Sequence, residues 1–371
     1  MILQVRLLLV ISLLLLLLSA CIEPFDFVVE NEQPSLVIEA QISNVSFNET
    51  LKYPSDGRYF EVILRYTSDV INVRDEVVSG ATITLEDDSG LQWSYTESPE
   101  SSGHYYLFDD DFKVLDNKQY KLVVHVSENE SYESNWEHLP DSATEMGEIC
   151  FEEEEILKYV IEAREEVLRA IPGVQVGIDI PKRDSQNISF YRWDFESMWV
   201  YIAPLASVAQ AERVCWASNT NYLSKYEIQL DNVGGYVKDL FFIEVPQNER
   251  ILTDFSMLIR QYTTSEDFYY FWDELKEQTN RGSIFDAPPY NLRSNLKSRQ
   301  GDSKRVSGYF GVVEEQAKRW YFNIDDLSYY TEDFLLRVCL VPYEGGPAAE
   351  CLSCLEYSNG TATITKPTWW R

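Results

Sequence analysis

Positive charge is scarce in this chain: 31 Lys and Arg stand against 61 Asp and Glu, with three His, for a formal net charge of −30. Such a surface repels nucleic-acid phosphate and anionic headgroups, so no nucleic-acid partner is expected and membrane attachment must come from lipid. The usual enzyme signatures are missing too: no glycine-rich phosphate loop follows a strand, and neither HExxH nor GxSxG occurs. With 61 acidic residues, paired carboxylates carry little information, so no catalytic residue is assigned. The only CxxC, Cys351-Leu-Ser-Cys354, has no second half-site, and His104, His125 and His138 lie far upstream. No metal and no other cofactor are therefore expected. Beyond residue 18, no stretch is apolar enough to span a bilayer.

What is present at the N-terminus is an export signal. Arg6 precedes an apolar run over residues 7–18, which closes on Leu18-Ser19-Ala20-Cys21. The run is shorter than the ~20 residues of a spanning helix and ends on small residues before a cysteine. Residues 1–20 are read as a lipoprotein signal peptide, Cys21 as the acylated residue, and residues 21–34 as a lipidated tether. The implied location is a membrane surface outside the cytoplasm, with the chain held there by lipid on Cys21.

Of six cysteines, Cys150, Cys215, Cys339, Cys351 and Cys354 remain after acylation, in an oxidising compartment. Five cannot all pair. Disulfides are expected among Cys215, Cys339, Cys351 and Cys354, with Cys351 and Cys354 bonded to each other or to Cys215 and Cys339. One thiol stays free or pairs outside the chain.

A composition 45% hydrophobic and 14% aromatic over some 350 residues supports more than one core. The expected fold is mainly β. Short strand patterns at 36–42, 59–66, 81–85, 91–95, 104–108 and 120–126, separated by turns such as Asp87-Asp88-Ser89-Gly90, predict an antiparallel sandwich over residues 35–138. The run from Gly80 to Asp87, a hairpin, and then Gly103-His104-Tyr105-Tyr106 resemble immunoglobulin-like or transthyretin-like modules. A second β-rich domain with inserted short helices is expected over 139–371. Apolar residues at Ile156, Val160, Ala163, Val167 and Ile171, stopped by Pro172-Gly173, predict an amphipathic helix. Residues 190–196 alternate between two faces as a strand should, placing Asp194 and Glu196 together and Tyr191, Trp193 and Phe195 opposite. Thr264-Ser265-Glu266-Asp267 predicts a helix start, followed by Phe268, Phe271, Trp272 and Leu275 at helical spacing. Asp109, Asp110 and Asp111 lack calcium-loop spacing and read as a solvated turn.

Several segments together resemble the Bacteroidota lipoprotein family with domain of unknown function 4249. They are Cys21 to Asp26, Tyr191 to Glu196, Cys215-Trp216, Ile259 to Tyr262, Phe271-Trp272, Gly282 to Pro289 with Arg293 and Asn295, Gly308 to Phe310, Lys318-Arg319, and in the tail Cys351 to Cys354, Gly360-Thr361, Lys366-Pro367 and Trp369. Ser294 departs from the family's usual glycine, and residues 152–170 are longer than its pattern. The resemblance implies an outer-membrane lipoprotein, often encoded near TonB-dependent receptors, with no established activity. The expected function is a non-enzymatic accessory subunit of a TonB-dependent transporter or other outer-membrane barrel. The alternative is a free-standing surface binding module for peptide or glycan.

The candidate site is the stretch ending at Asn295. Pro288-Pro289 fixes its backbone while Asp286, Asn291, Arg293 and Asn295 supply polar groups. The structural reading pairs Asp286 with Arg293 and uses the asparagines to satisfy buried backbone; the functional reading is a binding loop beside Trp272.

Overall fold

The computed structural model describes residues 34–67, 76–141, 144–183, 187–280, 292–300, 305–341 and 346–371. Two compact units divide the chain: residues 1–34 with 68–74, and residues 35–67 with 75–371. Every strand named below belongs to the second. The signal, the tether and Cys21 lie outside the described residues.

Strand β1 (Leu36–Ser43) buries every second residue, as its apolar alternation requires, with Leu36, Ile38, Ala40 and Ile42 inward. It pairs antiparallel with β2 (Phe60–Tyr66), which pairs in turn with β3 (His104–Leu107). Facing them is a second sheet built on Thr82–Asp87, Gln119–Ser127 and Glu130–Ser134. Ile83, Leu85, Tyr120, Leu122 and Tyr132 meet Ile38, Val62, Leu64 and Tyr105 in one apolar core. The resulting sandwich agrees with the expected mainly β fold.

Strands β4 (Ile149–Glu162) and β5 (Glu165–Ile180) form a long antiparallel hairpin, so the expected helix over this segment is not formed. The apolar spacing from Ile156 to Ile171 fits a helix, but Val160, Ile161 and Val167 are β-branched and favour the extended chain. The two-residue turn is Ala163-Arg164, both at positive φ (49° and 73°), the geometry of a tight hairpin without its usual Asn-Gly signature. Pro172-Gly173, read as a helix stop, lies within β5.

Four further long strands are β6 (Ser189–Ile202), β7 (Tyr236–Glu244), β8 (Asp254–Thr264) and β9 (Val306–Asn323). Strands β4, β5 and β7 make a three-stranded sheet, while the largest sheet runs through β6, β8, β9, β1, β2 and β3 in that order. Val174, Val176 and Ile178 of β5 pack with Trp193, Trp199, Met257, Ile259 and Phe322 in a second core.

Two cores exist, but a boundary between residues 138 and 139 does not separate two sheets. The first part of β9 lies parallel to β1 and covers the whole length of β1, from Leu36 opposite Val306 to Ser43 opposite Val313. Its Phe310 and Val312 enter the N-terminal core and its Phe322 the C-terminal one. At the junction Gly308 has φ +95°, and a Cβ there would stand 2.0 Å from the Ile38 carbonyl oxygen, so only glycine allows this approach.

Candidate functional site

Because the inward face of the largest sheet is committed to the two cores, its charged residues must point the other way, and they meet there. In β6, Tyr191 and Trp193 are buried in the core while Arg192, Asp194 and Glu196 face outward, as the alternation predicts. Arg260 and Tyr262 of β8 and Glu39 and Gln41 of β1 share that side, and with Arg58 they line one pocket. Helix α1 (Glu266–Asn280) lies across it, begun by Ser265, whose hydroxyl accepts from the Phe268 N–H at 3.4 Å. Phe268 and Phe271 pack on Tyr262, Tyr309 and Val313, and Gly311 lets the Phe268 ring lie against β9.

The charged groups form pairs. Arg192 donates to Asp194, and its guanidinium stacks 4.1 Å from the Trp272 ring centre and 4.9 Å from that of Tyr262. Arg260 reaches Glu196 at 2.6 Å, with Arg319 at 3.7 Å from the same carboxylate. Arg58 meets the buried Glu315 at 2.5 Å, and the Ser43 hydroxyl donates to it at 2.7 Å. At the rim, Glu39 pairs with Arg65, and Glu61 with His104 at 2.7 Å. The half-open pocket measures about 400 Å³.

Burial works against charge on Glu196, but Arg260, Arg319 and Arg58 outweigh it and hold the carboxyl below its usual range. A carboxyl held ionised in this way is poorly suited to donating a proton. Burial pushes Tyr262 up to about 12, so its hydroxyl stays protonated among Arg58, Glu315 and Asp194. Burial also draws Arg319 down to about 10, against the pull of Glu196.

Of the residues singled out in the sequence, Trp272 stands in this pocket, with its ring edge-on to Tyr226 at 4.8 Å. Asp286 and Asn291 lie outside the described residues. Arg293 is engaged by α1: its Nε donates to Glu274 at 2.7 Å, its backbone N–H donates to the same carboxylate at 3.0 Å, and Asp267 is 3.7 Å away. With 42% of the Arg293 side chain exposed, Arg293→Ala should cost under ~1 kcal/mol, read as a small shift in urea midpoint. Asn295 is buried, donating to Glu137 and the Phe310 carbonyl, both at 2.8 Å, and accepting from the Phe310 N–H at 3.0 Å. Asn295→Ala strands these groups and should cost roughly 1–3 kcal/mol in the same assay. The Ser294 hydroxyl donates to the Gly308 carbonyl at 2.7 Å, a bond glycine could not make.

Arg58, Arg192, Arg260, Tyr262 and Glu315 were not among the candidates. Alternation in β6 and β8 was the available signal for three of them; Arg58 and Glu315 had none. The acidic triplet forms an ordinary turn, with Asp109 accepting from the backbone of Asp111 and Phe112. No metal-holding group of His, Cys, Asp or Glu occurs among the described residues. The cysteines pair as Cys215–Cys354 and Cys339–Cys351, and Cys150 is a free, half-buried thiol pushed up by burial and by Asp179 and Glu152.

Fold and site together define a two-core, disulfide-braced, mainly β protein with an ion-paired, aromatic-walled pocket on its largest sheet. The chain belongs to the family described as Domain of unknown function (DUF4249), whose profile matches residues 22–319. No curated protein matches the chain.

Proposed function

We propose that this protein is a non-enzymatic outer-membrane lipoprotein, held by acyl chains on Cys21, that serves as an accessory subunit of a TonB-dependent transporter or another barrel assembly. The supporting observation is the hairpin of β4 and β5. Pairing with β7 ends at Gly173, and beyond it the hairpin continues as a two-stranded ribbon. Leu157, Tyr159 and Ile161 alternate along β4 on one face of that ribbon, 71%, 70% and 78% exposed, with the exposed Leu168 opposite Tyr159. A bare two-stranded ribbon is only marginally stable in water, and clustered exposed apolar side chains mark contact surfaces. A partner covering this face would relieve both conditions.

The test is capture from detergent-solubilised outer membranes. The wild-type protein should bring down a barrel protein in stoichiometric amount. Leu157→Ser with Ile161→Thr should abolish this while leaving the folded core within ~0.5 kcal/mol of wild type, as expected for surface changes. A barrel retained at full stoichiometry would defeat the assignment.

The anchor is tested separately. Cys21→Ser should move the protein from the membrane pellet to the soluble fraction, because the lipid carries the membrane affinity. No helix among the described residues is long and apolar enough to cross a membrane. A pelleting mutant would locate the anchor elsewhere.

A second reading, a free-standing binding module for peptide or glycan, is favoured by the pocket beside Trp272, which is walled by aromatic rings as ligand sites commonly are. In that case no barrel would co-purify and ligand capture would be the whole activity.

A further inference from the structure

We infer that the pocket between α1 and the largest sheet takes a neutral, polyhydroxylated ring, that is, a short segment of glycan. This rests on the pocket being a binding site and is independent of whether a barrel partner is present.

The first argument is charge. The charged side chains lining the space are already engaged: Asp194 by Arg192, Glu39 by Arg65, Arg260 by Glu196 and Arg58 by Glu315, with Glu61 hydrogen-bonded to His104. An anionic or cationic ligand would have to compete for one member of a pair and leave the other partly desolvated and uncompensated. A neutral ligand leaves every pair intact.

Hydrogen-bonding capacity is the second argument. The lining combines donors, the guanidiniums of Arg58, Arg192 and Arg260, with acceptors, Gln41 and the carboxylate of Asp194. The Nε atoms of Arg58 and Arg192, the Trp272 indole N–H and the Gln41 side-chain oxygen have no partner among the described residues. A wall that mixes both kinds suits groups that can donate and accept at once, and the hydroxyl does so in a single atom. A row of hydroxyls on one ring can address both donors and acceptors without carrying charge.

The aromatic wall makes the third. Trp272, Tyr262, Phe271 and Tyr309 offer apolar surface beside these polar groups. A sugar ring has the same split character, apolar C–H groups on its faces and hydroxyls at its edge, and aromatic side chains with a polar tip are suited to such surfaces. A fully apolar ligand would leave the donors and acceptors unmet, at a cost that rises with burial. The volume of about 400 Å³, at the small end for ligand pockets, fits a short segment with the rest of the chain left in solvent.

The experiment uses the full-length lipoprotein in detergent, titrated by calorimetry with six neutral or charged probes. These are maltohexaose, cellohexaose, mannohexaose, xylohexaose, a galacturonic acid hexamer and the hexapeptide Lys-Glu-Lys-Glu-Lys-Glu. At least one neutral hexaose should bind with a Kd below about 1 mM, and Trp272→Ala should weaken it about tenfold. Gln41→Ala, a partly exposed position, should weaken it measurably even if the tryptophan variant folds poorly, and Trp136→Ala, outside the pocket, should have no effect. Binding of the acidic hexamer or the peptide alone, with the same dependence on Trp272, would overturn the ligand class and leave a binding site. Binding by none of the probes, or binding indifferent to both pocket variants, would overturn the inference whether or not a barrel co-purifies.

Discussion

Replacing Cys215 and Cys354 together by alanine is expected to lower unfolding stability by about 4 kcal/mol, within the range for loss of a native bond that closes a long loop. The bond spans 139 residues, and both sulfurs are buried in the C-terminal core against Trp199 and Tyr357. Cross-linking residues so far apart removes much of the freedom of the unfolded chain. The Cys339–Cys351 bond closes a loop of separation 12, and its removal should cost about 3 kcal/mol at most. Urea unfolding of the oxidised proteins measures both, with mass mapping under non-reducing conditions to establish the pairs. A double variant within 1 kcal/mol of wild type would show that the long-loop bond does not brace the fold.

Arg58→Ala should cost about 3 kcal/mol, because it leaves the carboxylate of Glu315 buried without its cation, hydrogen-bonded by the Ser43 hydroxyl alone among the described contacts. The two ends of the pair are unequal. The Glu315 side chain is fully buried, whereas 28% of Arg58 is exposed and can recover some hydration when its partner goes. Glu315→Gln, which keeps the side chain's size and removes its charge, should therefore cost less than Arg58→Ala. Removing both charges with Arg58→Leu and Glu315→Leu should cost less than the two single leucine changes added together, since neither partner is then stranded. Additive losses in a double-mutant cycle would mean that the two residues act separately and that the pair is not a unit.

Much of the secondary structure was legible because it follows local periodicity. The strand at 36–42 alternates cleanly, and the start of α1 is written in Ser265 and the acidic residues after it. The hairpin of β4 and β5 was hidden because apolar residues four apart satisfy both helix and ribbon, and Ala163-Arg164 carries no turn signal. Sharing of one sheet by both cores was not legible: it depends on β9 choosing β1, 270 residues earlier, over any local neighbour. The pocket was half visible. Trp272, Asp194 and Glu196 drew attention, but the guanidiniums that neutralise the carboxylates come from other strands, and Arg58 lies 257 residues from Glu315.

The parallel pairing of β1 with β9 also sets the order in which the molecule can be completed. If the chain emerges N-terminus first from a translocation pore, β1 and β2 arrive early yet remain an unfinished edge until residues 306–323 follow. Contacts this distant in sequence form late, because the intervening loop must close first. For most of its passage the N-terminal half is thus an open sheet exposed to solvent, a state prone to wrong pairing. A chain truncated before β9 should consequently lose the N-terminal sandwich as well as the C-terminal core, and any chaperone of the route would meet the open edge of β1.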